Sequence, residues 1–211
     1  MTEPSQPDYP VRLTIDYPDR PLNRATSFFR LIVIIPIAIV LQTVDGGSSS
    51  YRSHGVHYVT YGAGGMLFLG PLLMILFRQK YPRWWFDWNV ALQRFSTRVG
   101  IYLALMDDRY PSTDEDQSVH LDYDYPDVPQ DLNRWLPLVK WFLAIPHYIV
   151  LIFLSIGAFF AVIAAWFAIL FTGRYPEGLF RYIEGVIRWA QRVIGYAFLL
   201  VTDAYPPFRL A

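Results

Sequence analysis

WFLAIPHYIVLIFLSIGAFFAVIAAWFAILFTG, residues 141–173, is a stretch of 33 positions without Asp, Glu, Lys or Arg. A second uncharged stretch, Ser53–Phe77, runs for 25. About 18 apolar residues suffice to cross a bilayer. Charged residues make up 17% of the 211-residue chain and apolar ones 54%, against roughly 25% charged in an average soluble domain. The composition predicts an integral membrane protein. As one helix the 33-residue run would reach about 50 Å, well beyond a hydrocarbon core of about 30 Å. It is therefore expected to fold back on itself, with Ser155–Gly157 as the turn. Zero cysteines exclude disulfides, thiolate metal sites and cysteine nucleophiles. A net charge of zero leaves no basic field for nucleic acid.

Working outward, the chain reads as two copies of one unit. VRLTIDYPDRPLNR (11–24) corresponds to VHLDYDYPDVPQDLNR (119–134), with Leu13/Leu121, Asp16/Asp124, Tyr17/Tyr125 and Pro18/Pro126 in step. Asn23/Asn133 and Arg24/Arg134 return to step after a two-residue insertion, and Arg30 faces Lys140. Farther on come Tyr81-Pro82/Tyr175-Pro176, Arg94/Arg188, Arg98/Arg192 and Asp108/Asp203. The implied organisation is a polar tail (1–10), a first repeat (11–111), an acidic linker (112–118) and a second repeat (119–211).

Each repeat predicts the same parts. Alternating Val11, Leu13 and Ile15 suggest a short strand ending at Tyr-Pro. Asn23 and Asn133 sit where a helix cap is expected. Transmembrane hairpins are expected over about 28–77 and 135–172, their first arms kinked at Pro36 and Pro146. Amphipathic helices follow over about 83–106 and 177–201. In these, Arg83, Arg94 and Arg98, and Arg181, Arg188 and Arg192, form charged stripes. Trp84, Trp85, Trp88 and Trp189 suit headgroup depth. An arginine stripe at mid-membrane is expensive, so these helices are expected to lie in the interface. The fold expected is all-α and integral to the membrane: two pseudo-symmetric hairpins, two interfacial helices and extended polar segments on the cytoplasmic side. In that arrangement only Arg52 of the 18 Lys and Arg residues lies outside. The positive-inside rule then makes the protein multi-pass with both termini cytoplasmic.

Little here suggests chemistry. Nine acids between Asp107 and Asp131 match no calcium-loop spacing, and read as a solvated connector or a docking face for basic partners. His54 and His57 sit three apart in a Gly/Ser-rich loop without a visible third metal ligand. His147, behind Pro146 in an apolar run, reads as a packed neutral histidine, hydrogen-bonded to a backbone carbonyl that the proline frees. No nucleophile elbow, phosphate-cradling loop or zinc-protease motif occurs. Neither a cofactor nor a catalytic residue is expected. The arginine stripes are the candidate lipid- or partner-binding residues. Membrane lipids and other membrane subunits are the expected partners, and nucleic acid is not, because the aromatics occupy the face opposite the arginines.

The DYP…LNR segments, the Ile-Pro-containing span, the Arg-Tyr-Pro before the amphipathic helix and the closing DAYPPF (203–208) resemble a bacterial membrane family, domain of unknown function four-three-eight-nine. The resemblance covers nearly the whole chain, the pattern occurring twice. The first copy ends DDRYPST (107–113), without the second's Pro206-Pro207-Phe208. The resemblance implies a small protein of the bacterial inner (cytoplasmic) membrane and brings no catalytic residues. The function expected is a non-catalytic accessory or scaffold subunit of a larger membrane complex. A lipid-binding or membrane-shaping protein is the alternative, and a small transporter or channel component comes third.

Overall fold

The computed structural model describes residues 9–37, 39, 41, 49–53, 56–60, 64–113, 115 and 117–210. Among these, four strands form two antiparallel pairs: β1 (Val11–Ile15) with β4 (Val119–Tyr123), and β2 (Ser49–Ser53) with β3 (Val56–Thr60). The helices are α1 (Arg24–Val33), α2 (Gly64–Arg78), α3 (Arg83–Leu103), α4 (Val128–Asp131), α5 (Lys140–Leu143), α6 (Ile145–Thr172) and α7 (Glu177–Ala197), with a 3-10 turn at Leu136–Leu138.

The sequence pattern accounts for several boundaries. Val11, Leu13 and Ile15 point inward and are buried, while Arg12 and Thr14 point out, as strand alternation requires. Asn23 caps α1, its side chain accepting from the Ala25 and Thr26 amides. Pro82 and Pro176 cap α3 and α7, where a missing N–H costs nothing. Ile34 closes α1 and Ala144 closes α5, each two residues ahead of a proline. Gly173 ends α6 in the left-handed conformation, φ 74°.

The two-hairpin membrane architecture is overturned. Residues 145–172 form one continuous helix of 28 residues, and among the described residues this is the one helix long and apolar enough to cross a membrane. Ser155–Gly157 is not a turn. Gly157 lies within the helix and leaves room for the Tyr182 hydroxyl, 2.5 Å from where a Cβ would stand. The residues 28–77 do not make a hairpin of spans either. The described part holds α1, the β2–β3 pair and α2, whose 15 residues fall short of a crossing. The expected all-α class also fails, because segments 108 residues apart pair as a sheet, Leu13 opposite Leu121. A four-span, multi-pass topology with its cytoplasmic termini therefore loses its basis. The expected fold-back assumed that a long apolar helix must match the bilayer's thickness; α6 instead lies alongside α7.

Contacts fix the layering. Tyr182 donates to the Leu154 carbonyl, Trp189 reaches His147, and Tyr148 meets Phe198, so α6 and α7 run antiparallel, side by side. On its other side α7 meets β1: the Ile15 amide donates to Glu184 and Val11 packs on Gly195. The partner strand β4 lies on α3, through Arg94. Helix α1 packs on the later turns of α6, where Phe28 stacks on Trp166 and the Trp166 indole donates to the Ser27 carbonyl. The order is sheet, then α3 and α7, then α6 with α1. The main core fills the space between sheet and helices, with Leu13, Ile101, Leu121 and Phe180 among its most buried residues.

Candidate functional site

The arginine stripes face the sheet. Arg94 donates from Nε to the Leu121 carbonyl (2.7 Å) and from Nη2 to Asp122 (2.7 Å). Arg188 donates from Nε to the Leu13 carbonyl (2.9 Å) and from Nη2 to Glu184 (2.6 Å), a buried carboxylate. Arg98 donates to the Ser112 carbonyl and buried Arg192 to that of Arg209. These four guanidiniums thus bind strands, linker and tail of their own chain. Arg83 and Arg181 keep exposed heads, paired with Asp87 and with Glu177 and Glu184. Acids of the stretch from Asp107 to Asp131 are used in the same way, Asp108 by Arg20, Asp124 by Arg12, and Asp107 by Arg109 and Ser118.

The tryptophans divide. Trp84 and Trp88 are exposed. Trp85 is half-buried against Gly70, and Trp189 is buried, its indole donating to His147 Nδ1 at 3.0 Å. That bond places the His147 proton on Nε2. The ring stacks on Phe208 (centroids 4.0 Å) beside Tyr205, so the partner of this packed histidine is an indole, not the expected backbone carbonyl. His54 lies outside the described residues, and His57 sits in β3 opposite Arg52. Among the described residues no three His, Cys, Asp or Glu side chains gather as a metal site.

Two buried cations escaped sequence reasoning as a structural pair. Arg30 donates from Nη1 to the Tyr102 and Asp107 carbonyls at the end of α3, and its guanidinium lies 4.3 Å over the Tyr102 ring. Lys140 donates to the Thr202 carbonyl and pairs with Asp203 (2.7 Å) just past the end of α7. Arg30 thus meets the last turn of α3 through Tyr102, where the helix dipole favours positive charge, whereas the Lys140 partners lie in the segment that follows α7. Burial pulls both groups below their ordinary pKa, and Asp203 works against that pull on Lys140. The signal was the alignment of Arg30 with Lys140, each inside a predicted span.

On the far side from the sheet the surface is apolar. Only His147, Ala161, Ala165 and Ile169 of α6 are buried. Ile149, Ile152, Phe153, Phe160, Phe167 and Phe171 expose their side chains along its whole length, and Phe28, Phe29 and Ile32 of α1 continue the surface. A groove of about 700 Å³ runs between α3, α6 and α7. Its wall is largely aliphatic, with Asn89, Ser96 and Gly100 contributed by α3.

No curated protein and no solved structure matches the chain. The model of one family, described as Domain of unknown function (DUF4389), matches residues 135–209. That stretch holds Lys140, α6, α7 and the tail that covers His147, and the match does not extend to residues 11–111. Over residues 135–209, then, the chain is similar to the DUF4389 family.

Proposed function

We propose that this chain is a non-catalytic, lipid-binding membrane protein that lies in one leaflet, apolar layer down, and does not cross the bilayer. One observation carries the reading: α6 is uncovered along its length while α7 and the charged sheet lie against its other side. If α6 stood across the membrane, α7 and β1 would stand beside it. The exposed pairs Arg12–Asp124 and Asp16–His120 would then be in hydrocarbon, about 20 Å to the side at ordinary packing distances. Charges there cost several kcal/mol each. Lying flat, the helix buries its phenylalanines in acyl chains and leaves the sheet wet. The resemblance supports the bacterial inner membrane as the location. Like contacts at paired positions support two copies of one unit. Tyr17 donates to the Tyr175 carbonyl and Tyr125 to that of Tyr81, and Arg24 and Arg134 donate to the Phe171 and Leu76 carbonyls.

Single cysteines at Gln130 and Glu177, near opposite ends of α6, test the orientation in sealed vesicles. An impermeant maleimide labels both from the same side if α6 lies flat. Labelling from opposite sides would show a crossing and sink the proposal. A second reading, an accessory subunit of a membrane complex, is favoured by the exposed stripe Ile149–Ile152–Ile156–Ile163, whose three-and-four spacing suits another helix. Co-migration with other subunits in gentle detergent would support it.

A further inference from the structure

We propose that the C-terminal tail is a proton-controlled strap: it stays closed over α6 and α7 while the His147 imidazole is neutral, and comes away when that ring takes up a second proton. The strap works in either orientation of α6, so it stands apart from the leaflet-lying reading. His147 has no exposed surface at the start of α6 and lies under residues 203–210, which run without helix or strand. Its Nδ1 accepts from the Trp189 indole and its Nε2 meets no acceptor. An indole nitrogen only donates, so a proton on Nδ1 would set two donors face to face. The cation would then be buried with neither N–H bonded, which is costly. Its cover is thin. Phe208 and Tyr205 lie on the ring, centroids 4.0 and 4.8 Å away, and both are themselves exposed. Side-chain bonds tie the tail down, from Tyr9 to the Ala204 carbonyl, Tyr205 to the Leu143 carbonyl and Arg188 to the Leu210 carbonyl. Each can be exchanged for water without unwinding a helix or strand.

Among the described residues no carboxylate lies against the ring to welcome a charge. From α7 it meets Trp189, and from the tail Tyr205 and Phe208. The charged groups of these elements are engaged elsewhere or exposed. Asp203 pairs with Lys140 of α5, Arg188 with Glu184, Arg192 reaches the Arg209 carbonyl, and the Arg209 head is exposed. Burial accordingly pulls His147 below its ordinary value. A released ring, back near about 6.5, binds the proton that the covered ring refuses. The tail's hold is therefore full above about pH 6.5 and weakens as pH falls. Packing alone does not call for this histidine. At the paired positions Ile37 stands for His147 and Phe95 for Trp189. Ile37 packs with Val99 and Tyr102, whose counterparts Val193 and Tyr196 pack with Trp189. Ser112-Thr113 follow Pro111 where Pro207-Phe208 follow Pro206. An apolar pair without an aromatic cover thus fills the first place, whereas acceptor, donor and cover come together at the second.

The test follows the full chain in lipid nanodiscs by NMR of isotope-labelled tryptophan, from about pH 7.5 to about pH 5, across the ordinary range of histidine. Solvent exchange of the Trp189 indole proton reports opening over the imidazole. It is assigned by its loss in Trp189→Phe and corrected for the intrinsic pH dependence of indole exchange. A nitroxide on Arg209→Cys, in a chain without native cysteine, reports the tail. Below about pH 6.5 indole exchange should quicken by about tenfold per pH unit, and the mobile share of the nitroxide signal should grow with it. His147→Gln still accepts from the indole but does not titrate, and His147→Ile carries the side chain of the paired position. Neither variant should show either change, and His147→Ile decides the matter if the glutamine variant does not fold. Acceleration that persists in them would assign the release to a carboxylate, Asp203 above all, and overturn the strap. Exchange that stays flat in the unmodified chain overturns it too, as does an indole that opens under a still-immobile nitroxide.

Discussion

Leu105 and Leu200 both adopt left-handed backbone, φ 65° and 57°, just past the ends of α3 and α7. Glycine ordinarily takes such positions, and leucine there costs about 1–2 kcal/mol. Both side chains are buried, Leu200 completely, and burying a leucine contributes about 1.5–3 kcal/mol with a further penalty for any cavity left behind. Burial outweighs strain. Leu200→Gly, which removes the strain, is accordingly expected to destabilise by about 2 kcal/mol; chemical denaturation in detergent measures it, and a stabilised variant would refute the ranking. The tyrosines make a second residue-scale prediction. Burial pushes the phenols of Tyr9, Tyr81, Tyr123 and Tyr175 above their ordinary value. A folded-state pKa above the unfolded one means stability that is full below about pH 10 and lost as pH rises past it. Thermal midpoints should fall above that pH together with tyrosine ionisation at 295 nm, and Tyr123→Phe should lessen the fall.

At the scale of elements, two glycines, one in α3 and one in α7, should respond with opposite signs. Alanine at Gly195 would place its Cβ 2.7 Å from Val11 and 3.2 Å from the Tyr123 ring, forcing β1 off α7. Overpacking of this kind costs about 1–3 kcal/mol, more than the helix-propensity gain of about 1 kcal/mol. Alanine at Gly100 meets nothing and should stabilise by about 0.5–1 kcal/mol. Equal effects at both sites would mean that the α7–β1 packing is looser than described. The elements themselves were legible to different degrees. Both amphipathic helices lie where their stripes put them, α3 at Arg83–Leu103 and α7 at Glu177–Ala197, and the alternation at Val11–Ile15 gave a strand. What covers the stripes was not legible. Leu13 and Leu121 are 108 positions apart, and strand pairing at that distance leaves no local pattern. The stripes by themselves suit solvent, headgroups, a neighbouring subunit or the chain's own acids, whereas Arg94 and Arg188 serve carbonyls of the sheet. The hairpin expected at Ser155–Gly157 failed because neither residue imposes a turn inside a strongly helical context. Of the candidate site, the wide apolar surface was foreseeable from composition; the groove was not, since it depends on how three helices cross.

For the whole molecule, the crossed arrangement of strands sets cooperativity. β1 precedes α1 in sequence but packs on α7, and β4 follows α3 and packs on it, while the two strands pair with each other. Neither half completes its core alone. Leu121→Ala, deep in the shared core, should cost about 2–5 kcal/mol. Hydrogen exchange should speed up in α7 as well as in α3. Faster exchange confined to α3 would show that the halves open independently.

That crossing also constrains biosynthesis. Arg188 and the Leu13 carbonyl it holds are separated by 175 positions. A ribosome adding about 5–20 residues per second needs roughly ten to thirty-five seconds to make the later partner after the earlier one. Throughout that interval the Leu13 carbonyl lacks its Arg188 donor. The contact that ties β1 to α7 can therefore close only once the last fifth of the chain is made.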